Sequence, residues 1–203
     1  MTVILPPQPV FGKPVTQAPS PDTLRFLAAR RSSSAVTLAA PGPSDAELDQ
    51  LLHLAARVPD HGKLAPWRFI VLDAEGKAAF AAKLEALAHG RGDTRAAAKL
   101  VKLKTPPMGV AVISRETRGD IPAWEQQLSA GAACTNLLYA AIAMGYGANW
   151  ITDWYAYDRD AATILGLADN ERVAGYVFIG TPNEPPLERE RPNVESLISR
   201  WRG

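Results

Sequence analysis

The sequence has almost no net charge and a single cysteine. Across 203 residues, 22 Lys and Arg stand against 21 Asp and Glu, a formal charge of +1 with neutral histidines. So even a balance gives no global electrostatic case for nucleic acid or a membrane surface as partner. Cys134 alone excludes a disulfide within the chain and a multi-cysteine metal site, and it fits a reducing, cytoplasmic setting. No run of about 18 residues is free of polar interruption, so no transmembrane helix is expected. Residues 1–7 lack a basic region and are broken by Pro6 and Pro7, unlike a secretory signal.

Familiar catalytic devices are missing too. There is no glycine-rich dinucleotide loop, no Walker pattern, no HExxH pair and no G-x-S-x-G elbow. His53, His61 and His89 are not spaced as ligands, no metal site is expected, and the carboxylates form no obvious dyad. A hydrolase or a metalloenzyme is hard to build from this set.

Apolar residues make up 47% of the chain, enough for a sizeable core. Residues 1–21 hold six prolines and read as an extended arm, either disordered or laid across a partner. Residues 22–203 read as one domain. Asp22 or Thr23 opens a short helix with Leu24, Leu27 and Ala28 on one face. Ser44-Asp45-Ala46-Glu47 is a capping box before a second helix. Helices are also expected over 77–89, 95–104, 124–144 and 158–165, with a turn at 73–76 and a polar connection over 115–122. Strands are expected over 67–72, 108–114 and 173–179, and 145–154 is a strand or extended loop. The helix over 124–144 is small-residued at Ser129 to Cys134, which marks a core helix with Cys134 as filler; its small face also suits a second copy. Three strands separated by helices give an α+β architecture with a sheet held between helices.

What stands out is cationic and hydroxyl side chains at the edges of apolar elements. Arg30-Arg31-Ser32 follows the first helix and reads equally as an anion site or as a polar helix end. Arg57, His61, Lys63 and Arg68 crowd the turn between the second helix and the 67–72 strand. Arg189 and Arg191 lie in the tail. Brought together, they would make a site for a phosphate and a polyol, with a flat ring stacked near Trp150 or Trp154. A protein poor in catalytic side chains but rich in such contacts leaves its chemistry to a cofactor.

In their order these segments are recognisable. Arg30-Arg31-Ser32-Ser33-Ser34 resembles the Arg-Arg-Ser signature of nitroreductase-family flavoproteins. Ala56 to Phe69, with its Pro59-Asp60-His61 and Pro66-Trp67, resembles that family's second segment in the form found in its short NAD(P)H nitroreductase subgroup. Trp124-Glu125-Gln126 through Ala132, Gly145-Tyr146-Gly147 with Trp150, Gly180-Thr181-Pro182 and Arg189-Glu190-Arg191 are similar to the later segments. The match runs over about residues 22 to 200.

The resemblance implies a central mixed sheet flanked by helices and a homodimer with FMN at each subunit interface. It implies Arg30, Arg31 and Ser32 on the phosphate and ribityl chain, completed by Arg189 and Arg191. Arg57 and His61 would come from the same or the partner chain, and Trp150, Ile151 and Thr152 would line the ring. It implies ping-pong transfer of hydride from NADH or NADPH to FMN and then to a nitroaromatic, quinone or similar acceptor. Two other readings remain: a flavin-consuming or dehalogenating enzyme of the same fold, and a non-catalytic flavin-binding module. The chain departs from the subgroup at Ile151, where an arginine is expected, and at Asp153 and Trp154, where small residues are. The loss of a cation and the added bulk predict a narrower pocket.

Overall fold

The computed structural model describes residues 5–117 and 119–203. Residues 1–4 of the expected arm, and Arg118 of the expected 115–122 connection, lie outside the described residues. Residues 5–20 form no helix or strand, and all but Leu5 are exposed. Helix α1 (Pro21–Ala29) starts one residue inside that arm, because proline's fixed φ suits a first helical turn and the Ser20 hydroxyl caps it. Its Leu24 and Leu27 are exposed; Phe26 packs instead, edge-on to Tyr139.

Strand β1 (Leu38–Ala39) is too short to leave a sequence pattern. Helix α2 (Asp45–Ala55) carries the capping box, with Ser44 and Glu47 each accepting from the other's backbone N–H. Strand β2 (Trp67–Leu72) follows. Residues 74–76, expected in a turn, instead open helix α3 (Ala74–Gly90): the Asp73 carboxylate accepts from Gly76 N at 2.8 Å, and the residue types of a turn are also those of a cap. The single basic helix expected over 95–104 is two, α4 (Thr94–Lys99) and α5 (Val101–Lys104), broken at the fully buried Leu100. Strand β3 (Met108–Arg115), helix α6 (Ala123–Ala143), strand β4 (Gly147–Ile151), helix α7 (Arg159–Leu165) and the twelve-residue strand β5 (Glu171–Pro182) complete the order.

The sheet runs β1-β5-β3-β2, with β4 also on β5. Every pairing among the described residues is antiparallel, a correction to the mixed sheet expected. The reason lies in the connections. After α3 the chain doubles back through α4 and α5, so it re-enters the sheet at the end it left, with Leu72 opposite Gly109. It then returns beside Arg115, opposite Glu171.

Side chains alternate across β3, so the strand feeds two cores. Val110 and Val112 pack with α2 and α6, through Leu51, Leu137 and Ala141. Ala111 and Ile113 pack with α3, α5 and α7, around Leu84, Leu103, Tyr155 and Tyr176. Helices thus cover both faces of the sheet, the α+β sandwich that the strand and helix pattern predicts. Trp67 and Phe69 pack against the α6 side, as a strand start should.

A bidentate ion pair spans β3 from one neighbour to the other. Arg68 Nε and Nη2 donate to Glu171 Oε1 and Oε2 at 2.6 and 2.7 Å. The Arg68 hydrogen bonds hold the Glu171 carboxyl below its usual range. Since the folded state binds the proton more weakly than the unfolded one, this stabilisation is present above the ordinary glutamate range and is lost as pH falls through the lowered folded value. Glu171→Gln is expected to cost about 2 kcal/mol near neutral pH and to flatten the acid limb of stability, read by urea unfolding across pH. An acid limb as steep as the parent's would contradict this role.

Candidate functional site

Backbone stitching at the C-terminal end of β5 builds one groove. After α1, Arg30 is extended, at φ −61° and ψ 140°. The following segment is tied to β4: Ser33 N donates to Ala148 O at 3.0 Å, and Asn149 Nδ2 donates back to Ser33 O. The approach is close enough that a Cβ on Gly147 would lie 2.6 Å from Leu38 Cδ2 and 2.8 Å from Ser33 Oγ. Here only glycine fits.

Across from this segment runs the tail. Arg31 Nε donates to Leu187 O at 2.9 Å. Between the two, Arg31, Ser32, Ser33, Ser34 and Thr37 face Glu184 to Leu187 over a groove of about 480 Å³. At its Arg31 end several donors converge on one oxygen, Glu188 Oε1. Arg191 Nε and Nη2 reach it at 3.0 and 2.9 Å, Arg189 N at 2.8 Å, and Arg31 Nε lies at 3.7 Å. They hold the Glu188 carboxyl below its usual range, the Arg189 N–H foremost. The Arg189 side chain itself is exposed.

The other expected site residues fall elsewhere in the protomer. The Arg30 guanidinium turns away from Arg31, lying 5.4 Å from the Tyr139 ring centre, and its Nε is buried without a hydrogen-bond partner among the described residues. Arg57 lines a second groove of about 580 Å³ between α1, α2 and α6, with Phe26, Asn136 and Tyr139. Its carbonyl accepts from Asn136 Nδ2 at 2.9 Å. His61 sits in a 3-10 turn (His61–Lys63), where Nδ1 meets Glu125 Oε2 of α6 at 2.7 Å. The Asp60 carboxylate braces that turn, accepting from Leu64 N and Ala65 N at 3.1 and 2.8 Å. Lys63 and Ala65 take φ of 56° and 45°, a strained choice for residues with a Cβ.

On β4, Trp150 lies opposite Val177, and its indole crosses β5 above Gly175, with Nε1 3.4 Å from Ala174 O. The Ile151 side chain packs against the α3-side core. Thr152 Oγ1 and Tyr157 OH lie 2.7 Å apart. Trp154, expected to narrow the ring pocket, is spent on structure: Nε1 donates to Ala96 O at 3.1 Å, and the ring lies edge-on to Tyr155. Asp153 is a buried cap with Lys102 Nζ at 3.3 Å. Burial pushes the Cys134 thiol up to about 12, which suits filler and not a nucleophile. Among the described residues no cluster of three potential metal ligands occurs.

Two participants escaped sequence reasoning, Glu125 beside His61 and Glu188 between the arginines. Glu125 lies within the Trp124-Glu125-Gln126 segment and Glu188 just before Arg189, but nothing local says which cation each meets.

A model of the nitroreductase family matches residues 27–181. The chain belongs to the nitroreductase family. Within it, the Escherichia coli (strain K12) protein named "Putative NAD(P)H nitroreductase YdjA" is 33% identical over 164 residues, 79% of this chain and 88% of that one. A Haemophilus influenzae protein of like name is 34% identical over 177 residues, 83% and 92% of the two chains. Among solved structures, a nitroreductase-like family protein from Bacillus cereus superposes with a TM-score of 0.80 at 19% identity, covering 93% of this chain and all of that one. A Bacteroides fragilis nitroreductase whose structure holds FMN gives 0.68 at 19% identity, over 90% and 100%. Those superpositions establish the nitroreductase fold.

Gly175 is the position on which the placement of Trp150 turns, since a Cβ there would lie 1.8 Å from Trp150 Nε1. Gly175→Ala is expected to expel the indole, shifting tryptophan emission to the red and costing about 1–3 kcal/mol in urea unfolding. An unchanged spectrum and unchanged stability would show that Trp150 is not seated there.

Proposed function

We propose that the protein is an FMN-dependent NAD(P)H oxidoreductase whose phosphate-binding end is the Arg31–Arg191 groove. The observation that carries this is the convergence of the Arg191 guanidinium and the Arg189 N–H on one carboxylate oxygen, with Arg31 Nε 3.7 Å from it, beside a row of hydroxyls. That donor set suits FMN. A phosphate would take the place between the arginines, and the polyol would run beside Ser32, Ser33 and Ser34, within reach of short hydrogen bonds. Trp150 offers a flat apolar wall toward the ring.

When bound, FMN supplies acceptance of hydride from NADH or NADPH and its transfer to a nitroaromatic, quinone or similar small acceptor. The chain's own residues bind and orient. Arg31, held at Leu187 O, fixes the phosphate end. Gly147 lets the hydroxyl segment lie close to β4, the strand that carries Trp150. The described groove residues are mostly hydroxyls and a guanidinium that bind and orient, which agrees with chemistry left to the cofactor.

We also propose a homodimer that completes the site. Arg57 and His61 lie away from the Arg31 groove in their own protomer and would serve the partner's cofactor. The tail supports this: every residue from 183 to 203 is exposed, including Leu187, Leu197, Ile198 and Trp201. Apolar side chains in that number suit burial against a second copy.

The purified protein is expected to carry or take up FMN, to sediment as a dimer and to bleach under anaerobic NADH or NADPH in stopped flow. Absence of any FMN binding would overturn the proposal. Bound FMN that neither nicotinamide reduces would leave a flavin-binding module instead.

A further inference from the structure

We propose that Glu188 is a built-in anion that closes the Arg31–Arg191 clamp until a phosphate monoester displaces it. The inference rests on the FMN reading of this groove and goes beyond it by naming what the arginines hold beforehand.

Glu188 Oε1 sits where an incoming phosphate oxygen would sit. It accepts from the Arg189 backbone N–H at 2.8 Å and from Arg191 Nε and Nη2 at 3.0 and 2.9 Å, with Arg31 Nε at 3.7 Å. That is a charge-assisted donor cluster around a single point, the arrangement that receives an oxyanion. The occupant comes from the same short tail segment as two of its donors, so the chain fills the site with its own carboxylate.

The contact is made to yield. The Glu188 side chain is 61% exposed and that of Arg191 48%, and exposed pairs of this kind contribute little to stability. Arg31, at 20%, is the fixed member, held independently by Leu187 O. A ligand phosphate carries about −1.5 to −2 charges at neutral pH against −1 for the carboxylate, and it offers three oxygens. It outcompetes Glu188 for the Arg191 guanidinium and the Arg189 N–H, with Arg31 close by as a second cation. An unphosphorylated flavin brings no anion to that point and leaves the clamp shut. Glu188 therefore sets a threshold that a phosphate crosses and a neutral polyol end does not. Glu184 lines the same groove but touches neither guanidinium among the contacts described, so Glu188 is the residue in competition.

The test is a fluorescence titration of flavin-stripped, full-length protein with FMN and with riboflavin, on the parent, Glu188→Gln and Arg31→Ala. Glu188→Gln is expected to bind FMN roughly threefold to fivefold more tightly, the range an exposed pair allows, with riboflavin unchanged. Arg31→Ala is expected to weaken FMN about tenfold or more. If Glu188→Gln binds FMN no better while Arg31→Ala binds it worse, the self-occupied clamp is overturned and the phosphate site stands. If riboflavin gains as much as FMN from Glu188→Gln, the effect is not at the phosphate and the inference fails. If Arg31→Ala leaves FMN affinity untouched, both the inference and the phosphate position beneath it fail.

Discussion

Strand β5 is hydrogen-bonded on both edges, and the candidate site depends on that. Residues 171–179 pair with β3 along the middle of the sheet, and residues 176–180 also pair with β4. The last two, Thr181 and Pro182, pair with β1. Three segments distant in sequence are thereby brought to one place: the Arg30–Ser34 run before β1, the start of β4, and the tail that leaves β5. Two contacts at this end tolerate no side chain. A Cβ on Gly180 would fall 2.6 Å from Pro107 Cδ, and one on Gly147 would meet Leu38 and Ser33. One wall of the groove is a consequence of strand pairing, and the other is the tail that leaves β5.

Two arginine–carboxylate contacts in the molecule show how burial sets their use. Arg68 and Glu171 form a fork whose carboxylate is 6% exposed, and they tie β2 to β5 across β3. Breaking that pair would strand a charge, so it is structural. Arg191 and Glu188 form a contact that is mostly in solvent. Its opening costs little, which is what a ligand site needs.

Much of the fold was legible. The capping box at Ser44 and Glu47, the β-branched run of 108–114 and the small-residue helix near Ser129 are each strong local signals, and each formed the expected element. Where sequence reading missed, the competing physics was either short or non-local. Two residues of β1 leave no periodicity. Asp73 caps a helix with the chemistry of a turn. Strand direction is set by which end of the sheet each connection returns to, which no local pattern encodes. Leu24 and Leu27 look like a core face but lie outward in the protomer, where an apolar stripe meets no partner of its own chain.

The candidate site was legible as a set of residues and less so as a geometry. Arg31 and Ser32 line one groove, and Arg191 is linked to its edge through Glu188, while Arg30, Arg57 and His61 do not line it, because a segment's neighbours depend on the register of strands far away. The carboxylates Glu125 and Glu188 lie in or beside segments that carry the family resemblance, but their contacts with His61 and Arg191 depend on folding that no local pattern encodes. The most direct measurement of the central claim is a crystal structure of the protein loaded with FMN. The phosphate is expected within hydrogen-bonding distance of both Arg31 and Arg191, with Glu188 turned away from them. A phosphate seated instead in the Arg57 groove, with Glu188 still on Arg191, would contradict it.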